Sequence, residues 1–128
     1  MNTPKRILVV EDNTTYRKML KIRLKSEGYK IITAENGLEG LDKARREKPD
    51  LIILDLMLPR IDGHQVCRFI KFDKNIRDTP IVVLTCRNLS EDVELAIKEH
   101  VDAFIIKGTR IEILLNVMKR LLDSRGAP

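Results

Sequence analysis

Apolar residues in this chain are arranged in two alternating ways. Unbroken runs, Ile7–Val10, Leu51–Leu54, Ile81–Leu84 and Phe104–Ile106, alternate with longer stretches in which apolar side chains recur every third or fourth residue. The first pattern predicts buried strands and the second amphipathic helices. A strand over Arg6–Val10 leads to a helix with Tyr16, Met19, Leu20 and Leu24 on one face, closed by Gly28 at the C′ position. A strand at Tyr29–Thr33 precedes a helix marked by Leu38, Leu41 and Ala44 and stopped before Pro49. The third strand is Leu51–Asp55, and the third helix, turned and capped by Asp62-Gly63, carries Val66, Phe69 and Ile70. Pro80 opens the fourth strand. A helix starting near Ser90 then turns Val93, Ala96 and Ile97 inward, with Glu91 and Asp92 in its electropositive first turn. Ala103–Ile106 is the fifth strand, and Thr109-Arg110-Ile111-Glu112 reads as the capping box of a last helix.

Strands alternating with helices, two of the strands apolar throughout, predict an α/β domain whose parallel sheet is covered on both faces. In a doubly wound sheet every strand delivers its C-terminal end to one edge, where ligands bind. The first run stops at Glu11-Asp12, the third strand at Asp55, the fourth at Thr85 and the fifth at Lys107. Three carboxylates, a hydroxyl and an ammonium are the groups that a divalent cation and a phosphoryl group require. Crowded carboxylates repel, so without a cation at least one pKa should rise. Each residue alone has a plainer reading: helix-terminal charge for Glu11-Asp12, β propensity for Thr85, a surface cation for Lys107. Their joint placement favours chemistry.

The 128 residues predict a single domain over 1–128, with its core at about 5–123. A hydrophobic share of 43% beside a charged share of 34% excludes a disordered or membrane-embedded chain. No apolar run approaches the roughly 20 residues of a membrane span. Glu11-Asp12 interrupts the first run before it reaches the about 7–15 residues of a secretory core, so a cytoplasmic location is expected. A net charge of +5 invites a nucleic-acid reading. The cations Arg17, Lys18, Lys21, Arg23, Lys25 and Lys30, and then Lys43, Arg45, Arg46 and Lys48, read instead as solvated helix faces. With 4% aromatic residues and no Trp there is little to stack bases on, so an acidic protein partner ranks ahead of nucleic acid. Cys67 and Cys86 lack metal-type spacing and are expected to be buried free thiols, while His64 and His100 are expected at the surface or in caps.

The chain resembles the receiver domains of two-component response regulators. The resemblance rests on Ile7-Leu8-Val9-Val10-Glu11-Asp12-Asn13, on Leu54-Asp55-Leu56-Met57-Leu58-Pro59 with Asp62-Gly63, on Val83-Leu84-Thr85, and on Lys107, in that order over almost the whole chain. It implies a flavodoxin-like, doubly wound five-stranded sheet of order 2-1-3-4-5 flanked by five helices. It further implies that Asp55 is the phosphoacceptor. Asp12 and Asp55 would bind Mg²⁺ directly, Glu11 through water and Met57 through its backbone carbonyl. Thr85 and Lys107 would bind phosphoryl oxygens, with Thr85 and Phe104 as the switch pair. The phosphoryl donor would be a histidine kinase or a histidine phosphotransfer protein, and the chain a signalling switch rather than an enzyme acting on other molecules. Two alternatives stay open: a pseudo-receiver that binds proteins without being phosphorylated, and an aspartyl-phosphate hydrolase. Met57 stands against the second, since such hydrolases usually carry another Asp there.

Several positions depart from the family pattern. Gly108 replaces the proline that usually follows the lysine in a cis peptide; a cis bond before glycine costs about 2.5–4 kcal/mol, so a trans bond and a reshaped loop are expected. Cys86 replaces an alanine, with the potential to narrow access to the phosphoryl site. His100-Val101 replaces Gly-Ala, which should cost a left-handed cap. In the last helix, Ile111, Leu114, Leu115, Met118 and Leu122 form one buried face, and Ile113, Val117 and Leu121 add a second row. With no effector domain among these residues, output is expected through a downstream protein or self-association over that row, unless Asp123–Pro128 folds back across it.

Overall fold

The computed structural model describes residues 3–86 and 90–125. In chain order the elements are β1 (Arg6–Val10), α1 (Thr14–Ser26), β2 (Lys30–Ala34), α2 (Gly37–Glu47), β3 (Leu51–Leu54), α3 (Gly63–Phe72), β4 (Ile81–Thr85), α4 (Ser90–Lys98), β5 (Ala103–Ile106) and α5 (Ile111–Arg125). The five strands form one parallel sheet in the order β2-β1-β3-β4-β5. The expected topology is therefore the observed one, with β2 displaced by one residue. The last helix begins at Ile111, one residue later than a cap at Thr109 would start it, and the Glu112 carboxylate pairs with Arg110 at 3.3 Å.

Strand residues alternate between two cores, as a two-residue side-chain period requires. Leu8, Val10, Ile52, Leu54, Ile81 and Val83 pack with Leu41 and Ala44 of α2 and with Val66 and Ile70 of α3. Ile7, Val9, Leu51, Ile53, Val82 and Leu84 pack with Leu20 and Leu24 of α1 and with Leu114, Met118 and Leu122 of α5. Asn13, Asn36 and Asp62 cap α1, α2 and α3 by accepting hydrogen bonds from the first-turn amides. Asp62 and Gln65 complete a reciprocal capping box, at 3.0 and 3.1 Å. Gly63 is required by proximity: a Cβ there would lie 2.5 Å from both the Asp55 carbonyl oxygen and Leu56 Cα. The absence of that atom lets α3 start directly beside the end of β3.

Not every residue assigned inward is buried. Met19, Leu38 and Phe69 are exposed at the rims of their helices, and Ile97 is 70% exposed. The inward line of α4 runs instead through Asp92, Ala96 and Glu99, at helical spacing. Two of these three are acids, and they meet His64, which is buried rather than superficial. Its Nδ1 lies 2.7 Å from Glu99 Oε1 and its Nε2 3.1 Å from Asp92 Oδ1. Arg68 NH1 donates to the other Glu99 oxygen at 3.0 Å. The α3–α4 seam is thus held by charge and hydrogen bonds where the remaining helices use aliphatic contacts. At the end of α4, the amides of His100 and Val101 bond to the carbonyls of Ile97 and Ala96, each at 3.1 Å, with His100 at φ +60°. That is a complete left-handed cap built without glycine, so the expected loss did not occur.

Replacing His64 by Leu would leave two buried carboxylates facing an apolar side chain. Glu99 keeps Arg68, so the expected cost is that of the lost hydrogen bonds, about 1–3 kcal/mol, read as a lower urea midpoint. A change below about 1 kcal/mol would show that the seam does not depend on the imidazole.

Candidate functional site

At the carboxyl edge of the sheet, β1 and β3 end side by side, with Val10 in register with Leu54. Glu11, Asp12 and Asp55 follow, and one carboxylate oxygen from each lies within 4.8 Å of the others. Glu11 and Asp55 are buried, whereas Asp12 is exposed. One Asp55 oxygen accepts the Met57 amide at 3.0 Å, and the other lies 2.9 Å from Lys107 Nζ. Lys107 Nζ is also 2.6 Å from Glu11 Oε1, and the second Glu11 oxygen accepts the Asn13 amide at 3.0 Å. Thr85 is fully buried at the end of β4, and its carbonyl accepts the Lys107 amide at 2.8 Å. The polar residues at the strand ends therefore gather at one edge.

Burial and charge then act on these groups. Burial pushes the Glu11 carboxyl above its ordinary pKa; the Lys107 hydrogen bond and the Asn13 amide pull it back, and repulsion by Asp55 adds to the rise. The expected upward shift falls on Glu11, but desolvation is a larger cause than carboxylate crowding. Burial alone would lower the Lys107 pKa; its hydrogen bonds to Glu11 and Asp55 outweigh that and raise it. Lys107 stays an ammonium fixed between two carboxylates. The turn from Ile106 to Thr109 that delivers it has a 3.1 Å hydrogen bond and Gly108 at φ +95°, and no peptide bond is cis among the described residues. The Lys107–Gly108 bond is trans as expected, and the turn brings Lys107 to Asp55.

Two supporting residues were not legible beforehand. Arg17, assigned to a solvated face, is buried. Its NH1 donates to the Glu11 carbonyl at 2.8 Å and its NH2 to Glu35 at 3.0 Å, tying the loop after β1 to the loop after β2. Tyr16 lies with its ring centroid 4.5 Å from Lys107 Nζ, a cation–π contact. A hydrophobic stripe marks Tyr16 only as inward, and a charge run hides Arg17 among its neighbours.

Other candidates lie around this pocket. Cys86 is exposed, contrary to expectation, because the chain leaves β4 there; its Sγ is 3.7 Å from Met57 Sδ. Phe104 is half-buried against the α2/α3 core and opposite Val83 in register. On α5, Ile113 is exposed, while Val117 and Leu121 are partly buried against the α1/α5 core, so the second row is partly exposed. Residues 126–128, the end of the segment considered as a cover for that row, lie outside the described residues.

Residues 7–119 match the model of the response regulator receiver domain family. The chain belongs to that family. The receiver is 33% identical to the polar-differentiation response regulator DivK of Brucella anthropi over 93% of its own length and 97% of DivK. It is 37% identical to the transcriptional regulatory protein AfsQ1 of Streptomyces coelicolor, also over 93% of its length, but it spans only 48% of AfsQ1. Among solved structures it superposes on the receiver domain of a histidine kinase from Syntrophus aciditrophicus with a TM-score of 0.90, at 33% identity, covering 97% of this chain and 94% of that one. The receiver domain of sensor histidine kinase PA1611 from Pseudomonas aeruginosa, solved with magnesium in its active-site cleft, superposes at 0.87 with 28% identity, over 94% of this chain and 99% of that one.

The two thiols of this receiver should differ sharply. Burial pushes the Cys67 thiol up to about 12, whereas Cys86 is open to solvent. With Ellman's reagent near pH 8, one thiol should react rapidly in the native protein and the second only after denaturation. Two rapid thiols would contradict the burial of Cys67.

Proposed function

We propose that this receiver is a phosphorylation switch in which Asp55 accepts a phosphoryl group from a histidine kinase or a histidine phosphotransfer protein. The supporting observation is the Asp55 carboxylate itself, held between the Met57 amide and Lys107 and beside Glu11 and Asp12. An Asp55 oxygen forms the new bond to phosphorus, the phosphorus–nitrogen bond of the donor breaks, and its electron pair leaves with the imidazole. Lys107 supplies fixed positive charge to a phosphoryl oxygen, and the Thr85 hydroxyl hydrogen-bonds another.

The three clustered carboxylates are hard oxygen donors, the type Mg²⁺ takes. Asp12 and Asp55 would hold the ion directly, Glu11 through water, and the Met57 carbonyl would complete the protein share. When bound, Mg²⁺ neutralises charge on the transferring group. The 2.9 Å approach of Lys107 to Asp55 favours this reading over a non-phosphorylated binding module, because Gly108 has not displaced the cation.

For output, Thr85 would move toward the phosphoryl group and Phe104 would turn inward. A second copy or a partner helix would then dock over α5 with Ile113 as its exposed anchor and Val117 and Leu121 behind it. Curated relatives include proteins named as transcriptional regulators, of which this chain covers about half or less. We assign direct nucleic-acid binding to no surface of this chain, and the reading places it in the cytoplasm.

Incubation with acetyl phosphate and Mg²⁺ should add the mass of one phosphoryl group to the wild type and none to Asp55→Asn. Asp12→Ala should weaken Mg²⁺ binding and slow the reaction. Wild-type labelling in the Asp55 variant would reject Asp55 as the acceptor, and unchanged Mg²⁺ affinity in the Asp12 variant would reject the acid-pocket model.

The α5 surface has its own test. Light scattering with a phosphoryl mimic should show a larger species that disappears in the Ile113→Lys, Val117→Lys variant. A monomer under every condition would exclude self-association and leave the partner helix.

A further inference from the structure

Away from the acidic pocket and α5, the most exposed aromatic side chain among the described residues is Phe72, 87% accessible at the last position of α3. It borders a groove of about 430 Å³ between α3 and α4, whose lining includes Arg68 and Lys71 on one side and Leu95, Lys98 and Glu99 on the other. Phe69, one turn before Phe72 and also exposed, extends the apolar edge along α3.

The charge left uncompensated on this groove is positive. The Glu99 carboxylate is already engaged by His64 at 2.7 Å and Arg68 at 3.0 Å. Lys71 Nζ donates to the Arg77 carbonyl at 3.1 Å, a neutral acceptor that leaves its charge uncompensated. Neither Lys71 nor Lys98 has a carboxylate partner among the described residues. An apolar floor of Phe72 and Leu95 is thus flanked by two ammonium groups whose charge no carboxylate among the described residues offsets. The His64 bridge fixes the two helices, so the groove is formed before anything binds, which lowers the ordering cost of association.

We propose that the α3–α4 groove is a docking site for an acidic amphipathic helix of a partner protein. One apolar face lies along Phe72 and Leu95, and flanking Glu or Asp residues meet Lys71 and Lys98. A second copy of this chain fits poorly. A twofold contact across this groove would bring the Lys71 and Lys98 of one copy to the same patch as those of the other, in a chain of net charge +5. The site is separate from the phosphoacceptor pocket and does not depend on the role given to Asp55.

The probe is a synthetic Glu-rich helical peptide with Leu and Phe at i and i+4, with a Lys-for-Glu counterpart as control. Titrated into the isotopically labelled full chain, the acidic peptide should shift amide resonances around residues 68–72 and 95–100. Its affinity should fall roughly tenfold from low to high salt. Lys71→Glu combined with Lys98→Glu should weaken the acidic peptide by about tenfold or more and create affinity for the basic one. Phe72→Ser, a change at a solvent-exposed position, should weaken binding while preserving the spectrum of the folded chain. Shifts mapping elsewhere, equal binding of both peptides, or no binding would overturn the proposal. So would a concentration-dependent doubling of mass abolished by Phe72→Ser, which would make a second copy the occupant.

Discussion

Glu11, Asp12 and Asp55 each bring a carboxylate oxygen within 4.8 Å of the others, and burial, with Asp55 alongside, opposes charge on Glu11. The strands create this conflict by running parallel, which carries Glu11, Asp12 and Asp55 to the same edge. Lys107 partly resolves it from β5, at 2.6 Å from Glu11 and 2.9 Å from Asp55. Much of the surrounding architecture serves to keep these groups near each other. Gly63 lets α3 approach the end of β3, Arg17 fixes the loop carrying Glu11, and the Gly108 turn delivers the lysine.

One helix, α4, is held by different physics from the others. α1 and α5 lie on one face through Leu20, Leu24, Leu114, Met118 and Leu122, contacts that are non-directional and tolerant of small shifts. On the other face, α4 buries Ala96 between two acids and meets α3 through His64. Hydrogen bonds of this kind have narrow distance and angle requirements, so they define a position more sharply than aliphatic packing does. The element nearest to Thr85 in sequence is therefore attached by the more directional set of contacts.

Strand positions and the meeting of their polar ends were legible because each strand is a short apolar run with a polar stop, as at Leu54-Asp55 and Ile106-Lys107. Asn13 and Asn36 cap their helices without any mark in the apolar pattern, whereas the Asp62 cap was legible because Asp62-Gly63 forms a turn before the third helix. Buried polar pairs were not. His64 and Glu99 are 35 residues apart, and no local spacing announces that they share one hydrogen bond. Assigning apolar residues inward placed Ile97 in the core and overlooked Asp92, because periodicity assumes that the buried line is apolar. Cys86 failed for a geometric reason, since membership of an apolar segment says nothing about where a side chain points once its strand has ended.

The turn at Gly108 has a consequence for how this sequence can change. Its φ of +95° is closed to proline, whose ring holds φ near −65°. Substituting the residue usual in the family would break the turn that brings Lys107 to Glu11 and Asp55, rather than restore the common loop. Residue 108 and the path of the loop must change together, through an intermediate that has neither arrangement. Any residue exchanged for this glycine must accept a positive φ, so the lysine loop can vary only among shapes that such a backbone allows.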